Sequence, residues 1–249
     1  MAGHPRVTQP TPPSLPRPHP RRQILALLPG ALCDAALWRH QIAGLGDIAD
    51  VRVGDLTRDD SVGGMAARAL GNLPPRFALA GLSLGGYVAL EIMRRAPERV
   101  TRLALLDTSA RPEPSAEAEH GTSSVAAESP RAAGATPMTA LLVHPMRLGD
   151  RRLATILAAM ADRVGRKAFL RQQRAILRRP DSWPDLAAIR CPTLLLCGRQ
   201  DRLAPPALQQ EMAEAIGGAR QIVIEDCGHL SPLERPEPVT KALREWLST

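Results

Sequence analysis

Short apolar runs alternate with amphipathic stretches along most of the chain. Ile24–Leu28 is a continuous apolar run ended by Pro29-Gly30. A run of that length, bounded by turn residues, fits a strand buried on both faces. Asp50–Val53, Phe77–Ala80, Val100–Leu106, Thr193–Leu196 and Gln221–Ile224 read as further strands. Between them the pattern changes to a helical period. Asp34 is placed to cap a helix running to about Leu45, and Ser61 one running to Leu70. Further helices are predicted over Ser83–Arg95, stopped before Pro97, and over about Asp150–Arg179, Pro206–Ile216 and Pro236–Leu247. This alternation predicts an α/β domain with a mostly parallel sheet of about six strands and helices on both faces. The helical stretch between the fourth and fifth strands reads as an insertion above the sheet. Sites in such sheets lie at the carboxyl ends of the strands, here the turns at Gly30, Gly81, Asp107, Gly198 and Cys227.

Composition narrows the function classes. The 249 residues are 44% hydrophobic and 23% charged, ordinary for a globular chain. Residues 1–22 stand apart, with a composition rich in Pro and Arg and free of Asp and Glu. They read as a disordered or polyproline-like tail, without the apolar core of a secretory signal. The segment 111–137 is also irregular, rich in Pro, Ala, Ser, Glu and Gly. No apolar run approaches a membrane span. The net charge is +7, but no binding motif accompanies it, and the excess of Arg over Lys with abundant Ala and Pro reads as coding bias, so nucleic acid is not the expected partner. Cys33, Cys191, Cys197 and Cys227 form no CxxC pair and no zinc spacing, and read as small buried hydrophobes. A cytoplasmic protein with neither nucleic-acid nor membrane partner is the expectation.

Gly81-Leu82-Ser83-Leu84-Gly85 is a G-x-S-x-G pattern between a predicted strand and a predicted helix. In that setting the glycines permit a tight turn that exposes Ser83 at its tip. The bland alternative is a Gly-rich turn with Ser83 as an ordinary N-cap. A serine hydroxyl needs a base to act as a nucleophile. Of six histidines, only His229 follows a predicted strand. Asp201, on the loop after Thr193–Leu196, is placed to orient that imidazole. Asp107, at the end of the fourth strand, is its rival. The N–H of Leu84 supplies one oxyanion donor. The second is expected from the loop after the first strand, at Ala31 rather than Leu32.

These segments resemble the α/β-hydrolase fold superfamily, in its compact bacterial branch of esterases, lactonases and cofactor-free haloperoxidase-like proteins. The resemblance rests on Leu28-Pro29-Gly30, Gly81–Gly86, Ala96–Val100, Gly198–Asp201 and Gly228-His229, and covers about 23–110 and 185–249. It implies the order Ser83, Asp201, His229 for a nucleophile, acid and base. Two departures stand out. Pro29 replaces the histidine usual in the first loop, and the Pro-rich tail occupies the place of an opening antiparallel strand pair.

The domain expectation is therefore a tail over 1–22, a core over 23–110 and 185–249, and a lid insertion over 111–184. The expected function is hydrolysis of a small ester or related acyl compound, with no metal or organic cofactor. Cleavage of a lactone or a C–C bond is the alternative, as is a non-catalytic binding protein on the same fold. Leu32, Met146 and Trp183 are expected to contact substrate. A basic stripe, Arg163, Arg166, Lys167, Arg171, Arg174, Arg178 and Arg179, reads as the solvated face of the insertion helix or as a port for acidic substrates.

Overall fold

The computed structural model describes residues 22–112 and 137–249. Residues 1–21 of the tail expected over 1–22, and nearly all of the irregular segment, lie outside the described residues.

Six strands form one sheet: β1 (Gln23–Leu28), β2 (Ala49–Val53), β3 (Phe77–Leu82), β4 (Val100–Leu106), β5 (Thr193–Gly198) and β6 (Arg220–Ile224). Their order is β2-β1-β3-β4-β5-β6, and every pairing is parallel. The chain starts at β1, adds β2 on one side, then crosses to β3 on the other. The order therefore reverses between β1 and β3, where Leu28 pairs with Gly81. The crevice beyond the carboxyl ends of those two strands is where such a sheet offers a ligand site.

Side chains alternate across the sheet, as the strand period of two requires. Leu25 and Leu27 of β1 join one core cluster, and Ala26 and Leu28 the other. The first cluster packs under α1 (Arg39–Leu45) and the C-terminal helix α8 (Pro236–Ser248), through Leu45, Val239, Leu243 and Trp246. The second packs under α2 (Val62–Asn72), α3 (Leu84–Arg95) and α6 (Pro206–Ala215), through Met65, Val88, Ile92 and Met212. Burial on both faces explains why β1, β3 and β5 read as apolar runs, while the edge strands β2 and β6 carry exposed Asp50, Arg52 and Arg220.

Between β4 and β5 lie α4 (Pro137–Leu142) and α5 (Arg151–Leu177). Asp150 caps α5, accepting from the Leu153 N–H at 3.0 Å. The single long helix expected there is broken at Gly165, with φ 73° and ψ 160°. That backbone conformation is one glycine adopts without steric penalty. Asp34 acts as a cap, as expected, but of a 3₁₀ turn over Ala35–Trp38 that precedes α1. A short helix α7 (Ser231–Glu234) follows the last strand, where the pattern predicts only a loop. Among the described residues no helix is long and apolar enough to cross a membrane.

Candidate active site

Ser83 sits between the last residue of β3 and the first of α3, with φ 53° and ψ −116°. A positive φ in a residue with a Cβ is strained and needs surroundings that enforce it. Here the Ser83 N–H donates to the Leu106 carbonyl at 3.0 Å. Its carbonyl accepts from Thr108 Oγ1 at 2.8 Å and from the Gly86 N–H at 2.8 Å. The flanking glycines are required by close approach: a Cβ on Gly81 would overlap the Gly85 carbonyl, and one on Gly85 the Leu28 carbonyl. Ser83 is half-buried.

Asp201 and His229 follow β5 and β6 on the same sheet edge. His229 Nδ1 lies 3.0 Å from Oδ1 and 2.9 Å from Oδ2 of Asp201. Both residues are only 3% exposed. The Asp201 Oδ1 also accepts from the backbone N–H of Leu203 at 2.9 Å and of Ala204 at 3.0 Å. Burial alone pushes the Asp201 carboxyl up. The charge and hydrogen bond of His229, with the two backbone donors, outweigh burial and hold it below the usual carboxylate value. Among the described residues no hydrogen bond joins the Ser83 hydroxyl to His229.

Asp107 makes different contacts. It is fully buried, with φ 46°, and accepts from the Gly198 N–H at 3.0 Å and from Ser231 Oγ at 2.5 Å. Burial, then the nearby charge of Asp201, pushes its carboxyl well above the usual value. Asp107 ties the ends of β4 and β5 to α7, and it is Asp201 that touches the imidazole.

One backbone donor adjoins Ser83, and the turn that carries a second approaches it. Leu84 is the first residue of α3, so its N–H has no acceptor within the helix. The turn after β1 comes close as well, since a Cβ on Gly30 would lie 3.5 Å from Ser83 Cβ. Among the described residues the Ala31 N–H in that turn donates to no protein acceptor. The Leu32 N–H is taken by Gln172 Oε1 at 3.0 Å.

Other expected residues are placed less centrally. Met146 is 86% exposed, so its side chain stands in solvent rather than in an apolar wall. Trp183 is half-buried against the second core cluster, with the Arg111 guanidinium 3.7 Å above its ring centroid. Several arginines of the basic stripe pair with core loops. Arg163 meets Asp34 at 2.6 Å, and Arg171 donates to the Thr57 carbonyl at 2.9 Å. The cysteines are free thiols, with Cys33, Cys197 and Cys227 buried. Burial, then the charge of Asp34, pushes the Cys33 thiol up to about 12, and burial likewise raises Cys197 and Cys227. Thiols held protonated are poor nucleophiles, which leaves Ser83 as the nucleophile candidate. Among the described residues no group of three His, Cys, Asp or Glu could hold a metal ion.

Glu234 is a residue that sequence reasoning does not single out. Its buried carboxylate accepts from Gly228 N–H at 3.0 Å and Leu230 N–H at 3.4 Å, on either side of His229, and from His144 N–H at 2.7 Å. The His229 N–H in turn donates to the Leu142 carbonyl at 3.0 Å. The Leu142–His144 stretch of the insertion and the histidine loop are thus held together. Glu234 lies five residues after His229, a separation that marks no partner without the fold.

Comparison with known proteins agrees with this architecture. The model of the alpha/beta hydrolase family matches residues 12–242. A pimeloyl-acyl-carrier-protein methyl ester esterase of Aromatoleum aromaticum is 31% identical over 68% of this chain and 72% of its own length. The structure of a thermophilic esterase from Thermogutta terrifontis is similar with a TM-score of 0.80 and 29% identity, over 91% of this chain and 89% of that one. An enol-lactonase from Burkholderia xenovorans LB400 has a TM-score of 0.79 at 22% identity, covering 93% of each chain, and shares the fold.

Proposed function

The chain belongs to the alpha/beta hydrolase family, and from that premise we propose that it hydrolyses a small carboxylic ester or related acyl compound through an acyl-enzyme on Ser83. The observation that carries the reading is the buried Asp201–His229 pair at 2.9 Å, on the same sheet edge as the strained Ser83 turn. The ester-cleaving names of the relatives from Aromatoleum aromaticum and Thermogutta terrifontis support the bond type.

In this mechanism His229 Nε2 takes the hydroxyl proton as Ser83 Oγ attacks the acyl carbon. Asp201 holds the other proton on Nδ1 and stabilises the imidazolium. The developing oxyanion is met by the N–H groups of Leu84 and Ala31. His229 then gives its proton to the departing alcohol. A water that passes its proton to His229 releases the acid and restores Ser83. The insertion between β4 and β5 serves as a lid over this edge. Its contacts to the histidine loop, through Glu234 and Leu142, support that role.

The test is hydrolysis of p-nitrophenyl acetate and butyrate by wild type and Ser83→Ala, with lactone and β-diketone substrates alongside. Turnover of the esters that disappears in a folded Ser83→Ala protein is the expected result. Equal turnover by both proteins would overturn the reading, and preference for a lactone or β-diketone would correct the bond type.

A further inference from the structure

The turn after β1 adopts a conformation that its own sequence disfavours. The Cys33 N–H donates to the Gly30 carbonyl at 3.2 Å, closing a four-residue turn. Its third residue, Leu32, has φ 57°. A positive φ at that position is the requirement of a type II turn, and glycine ordinarily meets it. In a residue with a Cβ the left-handed region is disfavoured by contact of the Cβ with the backbone. Such a conformation persists where the surroundings hold it.

The holding group comes from the insertion. Gln172 is fully buried in the second half of α5. Its Oε1 accepts from the Leu32 N–H at 3.0 Å, and its Nε2 donates to the Leu56 carbonyl at 3.2 Å. Both ends of the amide are engaged, which fixes its orientation. The first half of α5 reaches the same loop, through Arg163 and Asp34 at 2.6 Å. In a straight helix Arg163 and Gln172 would be about 13.5 Å apart along the axis. Leu32 and Asp34 can be at most about 7 Å apart. The break at Gly165 lies between the two anchoring residues.

We propose that Gln172 is a positioning residue for the reaction: by holding the Leu32 N–H, it fixes the Gly30–Cys33 turn against Ser83 and so keeps the Ala31 N–H where it meets the oxyanion. The inference rests on the serine hydrolase reading above. Without Gln172 the Ala31–Leu32 peptide is free to turn over toward the type I form that leucine prefers, and the preceding Gly30–Ala31 peptide, which carries the Ala31 N–H, shifts with the loosened turn. The turn packs directly on Ser83, with the Gly30 Cβ position 3.5 Å from Ser83 Cβ. A misplacement of about 1 Å in catalytic geometry is enough to cost about 100-fold.

The experiment compares wild type, Gln172→Met, Leu32→Gly and the double variant. It measures kcat and KM on p-nitrophenyl acetate, thermal melting, and inhibition by an aryl trifluoromethyl ketone. That inhibitor probes the oxyanion site directly. Ser83 Oγ bonds to its carbonyl carbon, the C=O π pair becomes the oxyanion, and the serine proton passes to His229. For Gln172→Met the expected result is a loss of about 10- to 100-fold in kcat, with KM within twofold and a parallel loss of ketone affinity. On the Leu32→Gly background the same change should cost less than threefold, because glycine holds the positive φ unaided. Gln172→Asn, whose amide is one methylene too short to reach the Leu32 N–H, should lose as much as Gln172→Met, and it serves if Gln172→Met does not fold. A folded Gln172→Met with wild-type kcat overturns the proposal. So does an equal loss on both backgrounds, or a folded Gln172→Asn with wild-type kcat. A wild type that neither turns over nor reacts with the ketone removes the hydrolase reading, and the proposal falls with it.

Discussion

Replacing Asp201 by asparagine exchanges one oxygen for an amide group at the most enclosed point of the site. The surroundings dictate how the new side chain sits. Oδ1 of Asp201 accepts from the N–H groups of Leu203 and Ala204, at 2.9 and 3.0 Å. In Asp201→Asn those donors select the carbonyl oxygen, so the NH2 group takes the place of Oδ2, 2.9 Å from His229 Nδ1. Two donors cannot share that contact. The remaining oxygen, 3.0 Å from Nδ1, already accepts from two backbone donors, so the site favours an Nδ1 that accepts from the new NH2, which leaves the imidazole proton on Nε2, facing the nucleophile. The base is then in the wrong tautomer, and no charge remains to stabilise the imidazolium. The loss in kcat for such a change is about 10⁴-fold, or about 5.5 kcal/mol of transition-state stabilisation. Because both backbone bonds survive, melting should change little. The assay is kcat on p-nitrophenyl acetate with melting on the same sample, and Asp107→Asn as the comparison. The amide introduced by Asp107→Asn can accept from Gly198 and donate to Ser231, and it resembles the protonated acid that burial favours at Asp107. This variant should stay within about tenfold of wild type, allowing for a small displacement of the β5 loop. A folded Asp201→Asn enzyme with near-wild-type kcat, or an Asp107→Asn enzyme losing as much as Asp201→Asn, would refute this assignment of the acid.

Asp107 also makes a pH prediction. Its folded pKa lies well above its ordinary 3.8, so the folded state holds more protons than the unfolded state between those values. Its contribution to stability is therefore full below pH 3.8 and declines as pH rises through the raised value. Denaturant titrations across that window should show a decline for wild type that is smaller for Asp107→Asn. An identical decline in both would contradict the cause assigned. Glu234→Gln should lower stability by ~2 kcal/mol, since its new NH2 must face one of three backbone donors. Unchanged melting would show that the carboxylate is dispensable. Gly85→Ala places a Cβ against the Leu28 carbonyl. It should cost about 2–3 kcal/mol, a fall in Tm of roughly 5–10 °C, and wild-type melting would mean that the turn and β1 can move apart.

The strands and the Ser83 turn are legible in the sequence because their causes are local. A strand buried on both faces must be apolar throughout, and Ile24–Leu28 shows it. The close approach of Gly81 to Gly85, and of Gly85 to Leu28, leaves its trace as glycines. His229 stands out as the one imidazole that follows a strand, and Asp201 as one of two candidate carboxyls beside Asp107; the structure places Asp201 Oδ2 2.9 Å from His229 Nδ1. What stays hidden depends on distant partners. Gln172 sits in a polar, arginine-rich stretch, and its partner Leu32 is 140 residues away. Nothing in its neighbours marks it as buried. The Gly165 break escapes the pattern because the apolar period continues on both sides and no proline interrupts it. Met146 misleads for the opposite reason: an apolar residue reads as interior, and this one stands on an exposed turn. The basic stripe becomes informative only once its partners are known, since Arg163 and Arg171 tie the insertion to loops of the core.

The central claim is that Ser83 is an activated nucleophile, and covalent labelling tests it without knowledge of the substrate. A fluorophosphonate requires an attacking oxygen, a base to take its proton and donors to receive the developing charge, so it reports on Ser83, His229 and the backbone donors together. Intact-mass measurement followed by peptide mapping should show one equivalent bound, on the peptide carrying Ser83, and none in Ser83→Ala. A folded wild-type protein that remains unlabelled, or carries its label on another residue, would contradict the account.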